Sequence, residues 1–137
     1  MIQRIQSLWL LLAAATVFLI VKFPFGGGVL QSGAPIDLFV AGNLLMFIVA
    51  LLLGIIALVT IFLFKKRSNQ KSLIWLGFLL SIVLIVLMYY EMSQLVADKK
   101  TYKMGAVFPI VYIILIIMAY SGIRKDEKLI KSVDRLR

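Results

Sequence analysis

Four long apolar runs constrain the fold of this chain more than any other feature of its sequence. They cover residues 5–23, 38–64, 72–92 and 106–123. An α-helix needs roughly 20 apolar residues to cross a bilayer, and each run comes close to that length or exceeds it. Hydrophobic residues make up 63% of the chain, against roughly half in soluble domains. The sequence therefore predicts an all-α membrane protein, with a four-helix transmembrane bundle over residues 1–123.

The first run also has some features of a cleaved signal peptide. However, its small residues Ala13, Ala14 and Ala15 lie inside the apolar run, too early for a cleavage site. The stretch from Phe18 to Lys22 contains no small residue that would serve instead. We therefore expect the first run to be retained as an uncleaved span.

Lys and Arg residues are distributed unevenly between the two predicted sides of the bundle. Eleven lie at the N-terminus, in the linker between the second and third runs, and in the C-terminal tail, whereas four lie in the other two loops. Cytoplasmic loops of multi-pass membrane proteins carry the excess of Lys and Arg. We therefore expect both termini and this linker in the cytoplasm, which accounts for the net charge of +9 without a nucleic acid partner.

The C-terminal tail, residues 124–137, is rich in both charges but keeps apolar residues at helical spacing. Because Gly122 is a natural helix terminator, the tail is predicted to form a separate short amphipathic helix at the cytoplasmic interface. Either the inner leaflet or a partner protein would cover its apolar face, and the sequence leaves both open. The candidate lipid or partner contacts in the linker and tail are Lys65, Lys66, Arg67, Lys71, Arg124, Lys125, Lys128, Leu129, Lys131, Val133, Arg135, Leu136 and Arg137.

Small and polar residues recur along the second run and, more briefly, along the third. Small residues allow the backbones of membrane helices to approach closely. Packing within the bundle is the favoured interpretation, and docking on another membrane protein is the alternative. For Asn43, an amide satisfied near the outer boundary is favoured over a substrate or partner contact. The candidate helix-packing residues are Gly42, Asn43, Met46, Ala50, Gly54, Ala57, Gly77 and Ser81.

The loop between the first two runs, residues 23–37, contains the consecutive glycines Gly26, Gly27 and Gly28. Such a stretch favours irregular backbone over a helix or a central strand. Asp37 is well placed to cap the second helix. We expect neither this loop nor the one before the fourth run to form an outer domain.

Residue types that carry most enzyme chemistry are missing from the chain. It has no Cys and no His, which excludes thiol and imidazole chemistry. Glu91 is the single carboxylate within a predicted span, and it lies at the outer end of that span. Pumps and proton-coupled transporters usually place ionisable groups at membrane depth, so the sequence argues against both. We therefore expect a protein that is not an enzyme, with no catalytic, cofactor-binding or metal-binding residues and no cofactor.

The two ends of the chain resemble the terminal signatures of a small bacterial membrane family. MIQRIQSLWLLLAA, residues 1–14, and IRKDEKLIKSVDRLR, residues 123–137, are similar to domain-of-unknown-function family 4293, from one phylum of Gram-negative bacteria. The resemblance extends over the whole chain. It implies a four-helix protein of the inner membrane, and it implies no activity and no functional residue.

These features together predict a non-catalytic accessory subunit or assembly factor of a larger inner-membrane complex. A small oligomeric transporter or channel is the first alternative. A membrane anchor that contacts a ribosome, RNA or anionic lipid through its basic inner face is the second. The expected partners are the lipid bilayer, other membrane-protein subunits and anionic lipid, with nucleic acid involved only indirectly through a ribosome.

Overall fold

The fold, taken from a computed structural model, is a bundle of four helices capped at one end by a small sheet. The structure describes residues 3–63 and 66–134. The helices are α1 (Gln3–Lys22), α2 (Leu44–Phe62), α3 (Arg67–Ser93) and α4 (Phe108–Asp134). Each is long and apolar enough to cross a membrane, which confirms the prediction of a helical protein with four possible spans.

The helices run up and down in chain order around the bundle. α1 packs against α2 and α4, and α3 packs against the same two helices, so α1 and α3 occupy opposite corners. One end, called here the terminal end, holds the start of α1, the α2–α3 linker and the end of α4. The opposite end, called the sheet end, holds the two longer connections.

A three-stranded antiparallel sheet covers the sheet end, with β1 (Gly26–Val29) between β2 (Pro35–Leu38) and β3 (Thr101–Tyr102). The prediction of irregular backbone was therefore wrong, because three glycines form most of the central strand. A side chain at Gly26 would collide with the sulfur of Met92, and a Cβ at Gly28 would lie 2.8 Å from the Lys99 carbonyl oxygen. The glycines thus allow β1 to lie directly against the end of α3 and the loop that follows it.

The start of α2 also differs from the prediction, which placed the second span from residue 38. α2 begins at Leu44 because Asn43 caps it, its side-chain oxygen accepting hydrogen bonds from the backbone amides of Leu45 (3.0 Å) and Met46 (3.4 Å). Asp37, the predicted cap, instead lies in β2 and accepts a bond from Lys103 Nζ at 2.6 Å.

The predicted break before the tail is absent, because α4 continues without interruption from Phe108 to Asp134. Gly122 serves close packing rather than termination: a Cβ there would lie 2.9 Å from Cγ of Gln6 on α1. Residues 124–134 are therefore the last turns of α4 and not a separate amphipathic helix.

Tyr112 of α4 lies at the centre of the core and links three helices. Its side chain is fully buried, and its hydroxyl donates a hydrogen bond to the carbonyl oxygen of Leu53 on α2 at 3.1 Å. A Cβ at Gly77 of α3 would lie 3.2 Å from that hydroxyl. A glycine at position 77 therefore leaves room for a buried hydroxyl, which needs a partner in an apolar core.

Candidate functional site

Two successive acidic residues fix α4 to both of its neighbours at the terminal end. Asp126 accepts a hydrogen bond from Nε2 of Gln6 on α1, and the two residues are only 7% and 8% exposed. Glu127 accepts a bond from Nζ of Lys71 on α3 at 2.8 Å, and Nζ of Lys131 lies 3.4 Å from its other oxygen.

The ends of α2 and α3 are joined at the same level. Nε2 of Gln70 donates to the backbone carbonyl of Thr60 at 2.9 Å, and both side chains are buried. The Thr60 hydroxyl donates to the Ile56 carbonyl at 2.6 Å. Every helix of the bundle therefore takes part in what we call the polar cluster: Gln6, Thr60, Gln70, Lys71, Asp126 and Glu127.

Sequence reasoning found only one member of the polar cluster, Lys71, as a candidate site residue. Asp126 and Glu127 fall in the tail, residues 124–137, which was predicted to form a separate helix. Gln6 and Gln70 are uncharged polar residues near the ends of apolar segments, and this position was the only available signal. Their partners lie on other helices, so sequence spacing does not identify them.

Beyond the polar cluster, the inward-facing seam of α4 continues into solvent-exposed positions. The buried seam residues Tyr112, Ile116, Ala119, Ile123 and Asp126 follow one another at helical spacing. Ile130 and Val133 come seven residues after Ile123 and Asp126, so they lie on the same face, yet they are 47% and 62% exposed. Leu129 beside them is 52% exposed. We call Leu129, Ile130 and Val133 the exposed seam.

The predicted basic contact residues have varied positions. Lys71 and Lys131 meet at the carboxylate of Glu127, and the guanidinium of Arg124 lies 5.9 Å from the Tyr120 ring centroid. Exposed positions are held by Lys66, Lys125 and Lys128, while Arg67 begins α3. The predicted contacts Lys65, Arg135, Leu136 and Arg137 lie outside the described residues.

Most of the predicted packing residues face the interior of the bundle. A Cβ at Gly54 would lie 3.5 Å from Val17 of α1, and Ser81 is buried and donates to the Phe78 carbonyl at 2.7 Å. Gly77 lies against Tyr112, as described above. The remaining predicted packing residues of α2 are also buried: Met46, Ala50 and Ala57.

Two of the predicted packing residues have other positions. Gly42 lies in a 3₁₀ turn, exposed, with no atom within 4 Å of where a Cβ would be. Its assignment to the helix-packing residues of the second span was wrong, because α2 begins after it. Asn43, besides capping α2, donates from Nδ2 to Oε1 of Glu91 on α3 at 2.5 Å. Its amide is thus satisfied within the fold, at the sheet end.

Within residues 3–63 and 66–134, no group of three or more Asp and Glu side chains is arranged to hold a metal ion. A family model described as a domain of unknown function, DUF4293, matches residues 2–136. This match confirms the resemblance seen at the two ends of the sequence. No curated protein and no solved structure has significant similarity to the chain.

Proposed function

This chain belongs to the DUF4293 family, a domain family of unknown function, and we propose that it is a non-catalytic accessory subunit of a larger complex in a bacterial inner membrane. In this proposal the four helices span the membrane, with the terminal end in the cytoplasm, as the distribution of Lys and Arg predicts. The exposed seam of α4 then docks on another subunit.

The exposed seam is the observation that carries this proposal. Where α1 and α3 lie beside α4, the residues of its inward face are buried; past the polar cluster, Ile130 and Val133 continue that face while about half exposed or more. An apolar stripe on one side of a helix normally packs against another element. A helix from a partner subunit would extend the bundle by covering these residues.

The polar cluster favours a protein partner over the leaflet surface for this segment. An amphipathic helix that binds lipid lies in the plane of the interface. Residues 124–134 instead continue the axis of α4, and the bonds of Asp126 to Gln6 and of Glu127 to Lys71 hold α4 to its neighbours at the point of exit. The exposed seam therefore lies past the polar cluster, where a cytoplasmic or membrane-adjacent partner can cover it.

The test compares two double variants of the tagged full-length protein purified from its native membrane in mild detergent. Ile130→Gln with Val133→Gln removes two of the three apolar side chains of the exposed seam, and Lys128→Gln with Ser132→Gln places the same side chains at exposed positions on another face. We expect mass spectrometry to identify a stoichiometric partner that copurifies with the parent and the control and is lost from the seam variant.

The interaction must then be reproduced with the two purified proteins mixed in detergent. Binding to the parent and control, with at least tenfold weaker binding to the seam variant, would support docking through this face. A homogeneous monomer or homo-oligomer for every variant would contradict the subunit proposal.

A further inference from the structure

An apolar groove opens on the outside of the bundle between α3 and α4, near the terminal end. It has a volume of about 170 Å³ and is lined by Ile74, Trp75, Phe78, Ile116, Ile117 and Tyr120. The lining consists of aliphatic and aromatic side chains. A buried apolar cavity of roughly 150 Å³ is large enough for benzene, so the groove has room for a short length of hydrocarbon chain.

Basic residues lie near one end of the groove, the end closer to the chain termini. Lys71 precedes Trp75 by one helical turn, and Arg124 follows Tyr120 by one turn, about 6 Å along the axis. The Arg124 guanidinium lies 5.9 Å from the centroid of the Tyr120 ring, which places it on the groove side of α4. Lys71 and Lys131 both bind the carboxylate of Glu127 at this end of the bundle.

Arg124 differs from the other two cations in its pairing. Lys71 and Lys131 both contact Glu127, whereas no carboxylate among the described side chains lies within ion-pair distance of Arg124. Its side chain is exposed. A guanidinium held at an aromatic face with its remaining N–H groups open is well suited to a phosphate, which it can bind through two parallel hydrogen bonds.

We infer that this groove is a binding site for an anionic glycerophospholipid of the leaflet at the terminal end, with one acyl chain between α3 and α4 and the phosphate on Arg124. The arrangement along the groove matches such a lipid, because the apolar lining for an acyl chain ends where the cations for a phosphate begin. The inference rests on the proposed membrane setting and is independent of the proposed partner complex.

The lining argues against a partner transmembrane helix as the occupant. Helix–helix contacts in membranes favour small residues that allow backbones to approach. The groove instead presents large side chains, and Trp75 and Ile117 are 56% and 52% exposed. The rings of Trp75 and Phe78 meet edge to face at 5.8 Å and form one wall. A flexible acyl chain can follow such a surface, whereas a rigid helix would be held away from it.

Trp75 provides a direct probe, because Trp9 is the only other tryptophan. In a Trp9→Phe background, the purified full-length protein is reconstituted into vesicles of phosphatidylcholine with increasing amounts of phosphatidylglycerol. Bromine atoms on the acyl chains of one lipid or the other quench Trp75 when that lipid occupies the groove. We expect phosphatidylglycerol to be preferred about fivefold, the ratio for one cation beside an anionic lipid.

Two pairs of variants identify the site within the same assay. Arg124→Gln should abolish the preference, whereas Lys125→Gln, which removes the same charge at the next residue, should retain it. Ile117→Phe should fill the groove and lower quenching by either lipid, whereas Ile114→Phe should not; the two isoleucines are both 52% exposed. Circular dichroism establishes that each variant retains its helices.

Three results would overturn the inference. Equal quenching by the two brominated lipids in the parent would remove the anionic preference. Equal losses in Arg124→Gln and Lys125→Gln would assign it to general surface charge. Quenching by neither lipid would show that Trp75 does not meet acyl chains, and would count against the membrane setting as well. The assay contains no partner protein, so its result does not depend on whether the proposed partner complex exists.

Discussion

At the scale of single residues, Gly105 is the position where one added methyl group should be most damaging. A Cβ there would lie 2.5 Å from the carbonyl oxygen of Pro24 and 2.6 Å from that of Phe23. Both are backbone atoms of the connection after α1, so neither moves away easily. Gly105 also donates its backbone N–H to the Pro24 carbonyl at 2.9 Å, which holds the start of α4 against that connection.

We expect Gly105→Ala to lower stability by about 1–3 kcal/mol, the usual cost of overpacking. Gly42→Ala is the matched control, because a Cβ there meets nothing within 4 Å and an exposed substitution usually changes stability by less than ~0.5 kcal/mol. The measurement is the thermal unfolding midpoint of the purified protein in detergent, followed by circular dichroism. Equal midpoints for the two variants would contradict the close backbone approach at Gly105.

At the scale of elements, the helices could be predicted from sequence, but two of their boundaries depended on distant residues. Gly122 favours a helix end locally, yet Gln6 and Asp126 hold α1 against α4 across that point. Asp37 and Asn43 are both good capping residues, and Lys103, which donates a bond to Asp37, lies 66 residues away in the sequence. In each case the deciding partner is far away in sequence.

The bond between Gln6 and Asp126 should contribute to the pairing of α1 with α4. Gln6→Leu leaves a carboxylate that is only 7% exposed without its partner, at an expected cost of about 1–3 kcal/mol or more. Adding Asp126→Leu removes the unsatisfied group, and replacing both partners by apolar residues can be nearly neutral. The double variant should therefore be more stable than Gln6→Leu alone.

Unfolding in detergent of the parent, both single variants and the double variant completes this cycle. A double variant whose loss of stability equals the sum of the two single losses would show that Gln6 and Asp126 are not coupled. The same result would contradict the account of why α4 continues past Gly122.

At the scale of the whole molecule, the sequence predicted the bundle but not how its ends are closed. The apolar runs were sufficient for four helices, because each run comes close to or exceeds the roughly 20 apolar residues that a helix needs to cross a bilayer. The polar cluster and the sheet bring together residues from every helix and both long connections, so neither has a local signature. The exposed seam illustrates the same limit: Leu129 and Val133 were identified from spacing and Ile130 was not, and that the seam continues the buried face of α4 required the structure.

The proposed orientation is the prediction that concerns the molecule as a whole. The chain has no cysteine, so single cysteines can be introduced without background. Ser32 lies in the turn between β1 and β2 at the sheet end, and Ser132 lies near the end of α4; both are exposed serines. If the terminal end faces the cytoplasm, a membrane-impermeant maleimide should label Ser32→Cys in spheroplasts and should label Ser132→Cys only after the membrane is disrupted.

The reverse labelling pattern would place the exposed seam outside the cytoplasm. It would also show that the excess of Lys and Arg does not set the orientation of this protein. Labelling of both before disruption would show that the four helices do not cross the membrane, and the exposed seam would then have to meet its partner at the membrane surface or in solution.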